Sequence, residues 1–302
     1  MPRVTFLLLL TLLPLQSSTL SMTKQLQPPR KLHVIDIGVN LTHRAFRKHW
    51  REVTQRSVAA GGQTLILTGT SVKSSQESLQ LAQAWWEETG TKNLYFTVGV
   101  HPHDAKSFDD TTLEQMKQML QHPLACAVGE CGLDFNRNFS PREVQIQAFR
   151  QQVQLACKVG KPLFVHEREA HKDLARVLDQ VAQDDELPPL PPIVVHCFTG
   201  TEEEAMEYIR RGYYIGFTGT ICKKERGAPL REILPKLPLQ RLMVETDAPF
   251  MGFVKGRRAS EPADVVGVAQ KLAETMDQPF GVVCETTTLT AQQFFGLAPL
   301  DE

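Results

Sequence analysis

From His33 onward, short apolar runs alternate with longer segments whose apolar residues recur at helical spacing. The runs are HVIDIGVN (33–40), TLILTGT (64–70), LYFTVGVHP (94–102), ACAVGECGLD (125–134), PLFVHERE (162–169), IVVHCFTG (193–200), YYIGFTG (213–219) and LMVETDAP (242–249). They are nearly continuous rather than alternating. Strands buried on both faces read that way, as in a parallel sheet covered by helices. Between them, Val144, Phe149, Val153 and Ala156 share a helical face before a stop at Gly160, and the segment from Glu202 to Arg211 stops at Gly212. Eight strand–helix units predict one α/β domain over residues 31–302, a closed (β/α)8 TIM barrel. The rival is an open doubly wound sheet. It calls for a glycine-rich phosphate loop after the first strand, and DIGVNL is not GxGxxG.

Residues 1–30 follow a different pattern. Val4 to Leu15 is almost wholly apolar, Arg3 precedes it, and Ser17, Ser18 and Thr19 follow. That order is the one found in a secretory signal peptide, and the run is short for a membrane span. Two other readings stay open. The segment is free of acidic residues up to Asp36, as mitochondrial presequences are, and a start at Met22 would give a cytosolic protein. The domain itself calls for no membrane partner.

The ionisable residues gather at the far ends of the strands, where barrel enzymes place their chemistry. Strand 3 ends in His101-Pro102-His103, and strand 4 reaches Glu130 with Asp134 beyond it. Strand 5 ends in His166, Glu167 and Arg168, strand 6 carries His196, and strand 8 carries Glu245 and Asp247. A carboxylate or imidazole in an apolar strand is costly unless paired or bound to metal. One such histidine would read as a satisfied core residue. Five strands doing this at the same end read as a site. Histidine mixed with carboxylate suits a hard-to-borderline divalent cation: Mg²⁺ first, with Mn²⁺ and Zn²⁺ also open. Strand alternation turns Cys197 away from His196 and Glu167 away from His166, so no thiolate enters the set. No GxSxG elbow is present, which disfavours a serine nucleophile.

Charge narrows the substrate. With 33 basic and 34 acidic residues the formal net charge is −1, so no global field draws in nucleic acid. A nucleic-acid substrate then needs a local basic patch or a metal. Lys223, Lys224 and Arg226 follow strand 7, and Lys255, Arg257 and Arg258 follow strand 8, both on the mouth side. Phe250 and Phe253 lie beside them. The six cysteines contain no CxxC pair and read as buried free thiols, not as a disulfide framework.

DIGVNLT (36–42), TVGVHPHD (97–104), VGECGLDFNRNFS (128–140), HCFTGT (196–201), YIGFTG (214–219) and ETDAP (245–249) resemble the TatD family of metal-dependent deoxyribonucleases, which belong among the amidohydrolase-like barrels. The match runs from strand 1 to strand 8. It implies that Glu130, His166, His196 and Asp247 form the metal and catalytic core, with Glu130 and Asp247 as catalytic groups and one or two divalent cations per chain. Many members begin strand 1 with His-x-His, part of a two-metal site. Here those positions are Gly38 and Asn40, as in the branch nearest bacterial TatD, which also reads DIGVNL.

The resemblance implies hydrolysis of DNA phosphodiesters, typically from the 3′ end. His101, His103, Arg168, Lys223, Arg257 and Arg258 are then the candidates for substrate contact. Two other classes stay in view: a metallohydrolase acting on a small amide, lactone or aminoacyl ester, and a barrel that only binds. The sequence does not fix exonuclease against endonuclease action, DNA against RNA, or the oligomeric state.

Overall fold

The computed structural model describes residues 33–298. The targeting reading of residues 1–30 lies outside them. Eight parallel strands run in chain order around one sheet: β1 (Val34–Val39), β2 (Gly62–Leu67), β3 (Leu94–Val98), β4 (Ala125–Asp134), β5 (Leu163–Arg168), β6 (Ile193–Val195), β7 (Tyr214–Phe217) and β8 (Leu242–Val244). Each pairs with the next, and a parallel bridge between Val39 and Ala248 joins the first strand to the chain just after the last. This is the (β/α)8 barrel read from the sequence.

The strands are buried along most of their length, which explains their continuous apolar runs. Phe96, Phe164 and Phe217 fill the core together with Ile35, Ile37, Leu65, Leu67 and Val244. The outer layer holds α1 (Trp50–Ala60), α2 (Val72–Thr89), α3 (Asp110–Met119), α4 (Arg142–Val159), α5 (His171–Ala182), α6 (Glu202–Arg210), α7 (Ala228–Ile233), α8 (Val265–Met276) and α9 (Phe280–Phe295). Helix α4 ends at Gly160 with φ 65°, a left-handed cap that glycine adopts at no steric cost. After β8 come two helices, and α9 packs against β1 and β8. Among the described residues, no helix is long and apolar enough to cross a membrane.

Two buried glutamines on α4 tie this layer to the mouth. Gln145 and Gln152 are seven residues apart and so face the same way. Gln152 accepts from Val100 N and donates to Val100 O (2.8 and 3.1 Å). Gln145 accepts from Asp134 N (2.8 Å) and donates to the carbonyls of Asp134 and Ser140. One helix face therefore fixes the chain just before His101 and at Asp134.

Candidate metal centre at the barrel mouth

Strand ends deliver the polar groups one at a time. Glu130 sits on β4 with its backbone N–H on Gly69 O (2.7 Å), and His101 N is held by Thr70 O (2.9 Å) just past β3. Both are therefore fastened to the chain that follows β2. His166 is the fourth residue of β5, and His196 follows β6 with its N–H on Val165 O.

Three imidazoles meet at one carboxylate oxygen. Glu130 Oε1 lies 2.8 Å from His196 Nε2, 3.0 Å from His166 Nδ1 and 3.3 Å from His101 Nε2. Glu130 and His196 are buried, and the other two rings reach the mouth. His101, Glu130 and His166 each place one ligand atom within 4.8 Å of the others, a spacing suited to one cation. His101, read from the sequence as a substrate contact, therefore stands among the candidate ligands. His196 and Asp247 flank this trio.

Two of these histidines, His196 and His166, have a second carboxylate on the far side of the ring. His196 Nδ1 faces Glu245 Oε2 at 3.3 Å, and His166 Nε2 faces Asp134 Oδ2 at 3.5 Å. Imidazoles that ligate metals are commonly oriented this way, because the outer partner fixes tautomer and ring angle. The 3.5 Å contact is long, and His166 Nε2 makes no well-aligned bond in this arrangement. Asp134 Oδ2 also pairs with His103 Nε2 at 2.7 Å, while its Oδ1 accepts from the N–H groups of Asn136 and Arg137. Glu245 is fully buried, and Cys197 N donates to its Oε1 (2.5 Å).

The first strand is built around these carboxylates. A Cβ on Gly38 would stand 2.4 Å from Glu245 Oε2, and one on Gly216 would stand 2.6 Å from Oε1. Two glycines thus open the niche that the Glu245 carboxylate fills. Asn40 donates its side-chain N–H to Asp247 Oδ1 (2.9 Å), and Asp247 N donates to Gly38 O. Gly38 and Asn40 therefore both serve acidic groups from β8 and its following turn.

The electrostatics follow from crowding. Burial pushes the Asp247 carboxyl up to about 7, and the charges of Glu130 and Glu245 reinforce the shift, while His196 and Asn40 oppose it. Burial opposes charge on Glu130 too, but His196 and His101 hold it well below the ordinary range. Burial works against His196, yet Glu130 and Glu245 raise it well above an ordinary histidine. Desolvation lowers His101. Perturbation this dense, at one end of a barrel, marks a place where charge is to be managed.

Some sequence-based assignments change. Cys197 does not turn away. The strand ends at Val195, so alternation no longer governs it, and Cys197 takes φ 47°. Its thiol is raised by burial and by the nearby charges of Asp247 and Glu245. It stands beside the site without belonging to the candidate ligands. Arg257 is not free for substrate, because its guanidinium pairs with Asp264 and lies 4.0 Å from Glu261. Phe253 packs against Gly219 and Gly267 rather than facing outward.

Other assignments keep their places. Glu167 does point elsewhere, accepting from Ala170 N (2.7 Å) and Tyr208 Oη (3.2 Å). Lys223 is half-buried next to the Cys197 thiol, Arg258 is exposed, and Arg168 is half-buried opposite Asp134 in the β4–β5 register. Asp134, Glu245 and Asn40 were not singled out as site residues. The signal for the two acids was present, since each is an acid in an apolar run. Only the fold shows which histidine each one faces.

A (β/α)8 barrel with histidines and carboxylates converging at the C-terminal ends of its strands defines the metal-dependent barrel hydrolases. More narrowly, the model of the TatD related DNases matches residues 35–296, and the chain belongs to that family. It is 37% identical over 270 residues to the 3′-5′ ssDNA/RNA exonuclease TatD of Escherichia coli K12, covering 88% of this chain and all of that protein. The counterpart in Edwardsiella piscicida is 40% identical over 271 residues, again with 88% and 100% covered. Among solved structures, the TatD homolog YJJV of Escherichia coli superposes with TM-score 0.77 at 29% identity, covering 88% of this chain and 98% of that one.

Proposed function

We propose that this protein is a metal-dependent nuclease that removes nucleotides from the 3′ end of single-stranded nucleic acid by hydrolysing the phosphodiester bond. The convergence of His101, His166 and His196 on one oxygen of Glu130 carries this reading. Three inward-facing imidazole nitrogens on a single buried carboxylate are the donor set of a divalent cation. The relatives named as 3′-5′ ssDNA/RNA exonucleases supply the polarity and the substrate class.

His101, Glu130 and His166 would hold the cation, with His196 and Asp247 beside them. A bound divalent ion there supplies Lewis-acid polarisation of a phosphoryl oxygen and acidifies water. The mixture of nitrogen and oxygen donors accommodates Mn²⁺ and Zn²⁺ as well as Mg²⁺. Asp247 is the candidate general base, its carboxylate oriented by the side-chain N–H of Asn40. His103, oriented by Asp134, faces the mouth where a phosphate or leaving oxygen would lie. Glu245 and Asp134 keep the histidine rings in place from behind. Lys223 and Arg258 supply positive charge near the mouth that the whole molecule lacks.

The test uses oligonucleotides labelled at either end, incubated with metal-loaded protein. A 5′-labelled strand is expected to yield a descending ladder, while a 3′-labelled strand releases labelled mononucleotide at once. Internal fragments from both labels, with no ladder, would overturn the exonuclease reading. Intact nucleic acid beside turnover of a small ester or amide would move the protein to the other metallohydrolase class.

A further inference from the structure

We infer that Phe139 and Phe250 are a pair of base-stacking platforms on opposite rims of the mouth, gripping two nucleobases of a single strand on either side of the bond to be cut. The inference rests on the nucleic-acid reading above. Among the described residues these are the two exposed large aromatics, with 57% and 50% of their surfaces open, and both stand beside the site. Phe139 follows β4 and Phe250 follows β8. Three strands lie between β4 and β8 on either side of the eight-stranded ring, so the two rings stand on opposite sides of the mouth.

Each ring is mounted on a histidine of the mouth. Phe139 lies edge-on to His103, with centroids 4.7 Å apart, and His103 in turn is bonded to Asp134. Phe250 lies edge-on to His43 at 5.5 Å and is three residues from Asp247. The Arg137 guanidinium stands 6.0 Å from the Phe139 ring, where a cation can meet a phosphate or the face of a base.

The backbones beneath these rings are fixed. Asn138 takes φ 50° and caps Phe135 O with its side chain. The fully buried Ser140 then donates to His103 O and accepts from Lys106 N. On the other rim, Phe250 N donates to Asp247 O, Met251 takes φ 54°, and the buried Ser260 hydroxyl donates to Phe250 O. A single exposed phenylalanine on a loose loop would be ordinary surface. Two held rigidly outward, one on each side of a polar site, do not form one apolar patch for a protein partner. They offer two separate flat faces, and unpaired bases are the ligands that use such faces without regard to sequence. Bases within a duplex are already stacked and paired, so the arrangement favours single strands.

The probe is an oligothymidylate with phosphorothioate linkages, which resists cleavage, titrated into the metal-loaded protein. Phe139→Ala and Phe250→Ala are each expected to weaken binding about tenfold. An abasic site at the matching nucleotide should weaken the wild type to the same degree and the corresponding alanine variant no further. Phe139→Trp and Phe250→Trp should keep wild-type affinity, with the added indole quenched on binding. Unchanged affinity in both alanine variants, or unquenched tryptophans in a bound complex, would overturn the platforms while leaving the nuclease in place. If the wild type binds no oligonucleotide at all, the substrate reading itself fails, and the platforms with it.

Discussion

Asp134 shows how a single side chain can hold a site without touching substrate. Burial would raise its carboxyl, but the nearby His166 ring and hydrogen bonds from the Arg137 N–H and His103 hold it well below the usual carboxylate range. It therefore stays charged and orients both rings. Asp134→Asn is expected to leave the fold intact and to lower metal affinity about 10- to 100-fold, read by titrating metal into the stripped protein. Unaltered affinity would show that His166 is placed by β5 alone. Asp36 on β1 makes a different point. Its carboxylate is wholly buried, with Oδ1 accepting from Thr246 N (2.8 Å) and Oδ2 from Thr246 Oγ1 (2.5 Å), and burial drives its pKa well above the ordinary value. The folded chain thus holds this proton more tightly than the unfolded chain does. Its contribution to stability is complete below about pH 4, where both states are protonated, and is lost as pH rises toward the folded-state value. Asp36→Asn should therefore gain stability relative to wild type as pH rises above about 4, measured by urea unfolding. Parallel curves for the two proteins would contradict this.

Helix α4 carries no candidate ligand, yet two of its side chains position the loops that do. Gln145 and Gln152 satisfy backbone groups of Asp134, Ser140 and Val100 in a buried layer where water cannot replace them. Replacing either with leucine leaves buried N–H and C=O groups unpaired, at a cost of about 1–3 kcal/mol. Gln145→Leu is expected to lower metal affinity as well, since Asp134 loses its anchor. Chemical denaturation and metal titration of one sample separate the two effects. Loss of stability with unchanged metal affinity would assign Gln145 to packing alone. The elements themselves were legible in the sequence, because strands buried on both faces leave apolar runs too short for helices, alternating with longer segments of helical periodicity. Their ends were less so. β6 stops after three residues, and with it the alternation that was to turn Cys197 away. Arg257 read as a free cation because Asp264, which pairs with it, lies seven residues away beyond a turn that no periodicity reports.

In the whole molecule, closure of the sheet turns a string of separate motifs into one site. The sequence marked Glu130, His166, His196 and Asp247 because an acid or imidazole at the end of an apolar strand stands out against its surroundings. It could not say that three histidines share one oxygen, or that Glu245 and Asp134 stand behind two of them, because those contacts join residues as many as 66 positions apart. On the proposed function, this cluster binds a divalent cation on which hydrolysis depends. Its most direct test is to strip the protein of metal, supply Mg²⁺, Mn²⁺ or Zn²⁺ in turn, and follow both bound metal and the shortening of a single-stranded oligonucleotide, with Glu130→Gln and Asp247→Asn alongside. No hydrolysis is expected without metal, and full recovery on adding it back. Glu130→Gln should lose metal and activity together, and Asp247→Asn should keep a folded barrel while losing at least about a hundredfold in rate, as expected when a general base is removed. Hydrolysis that persists in the stripped protein, or that survives both substitutions, would contradict it.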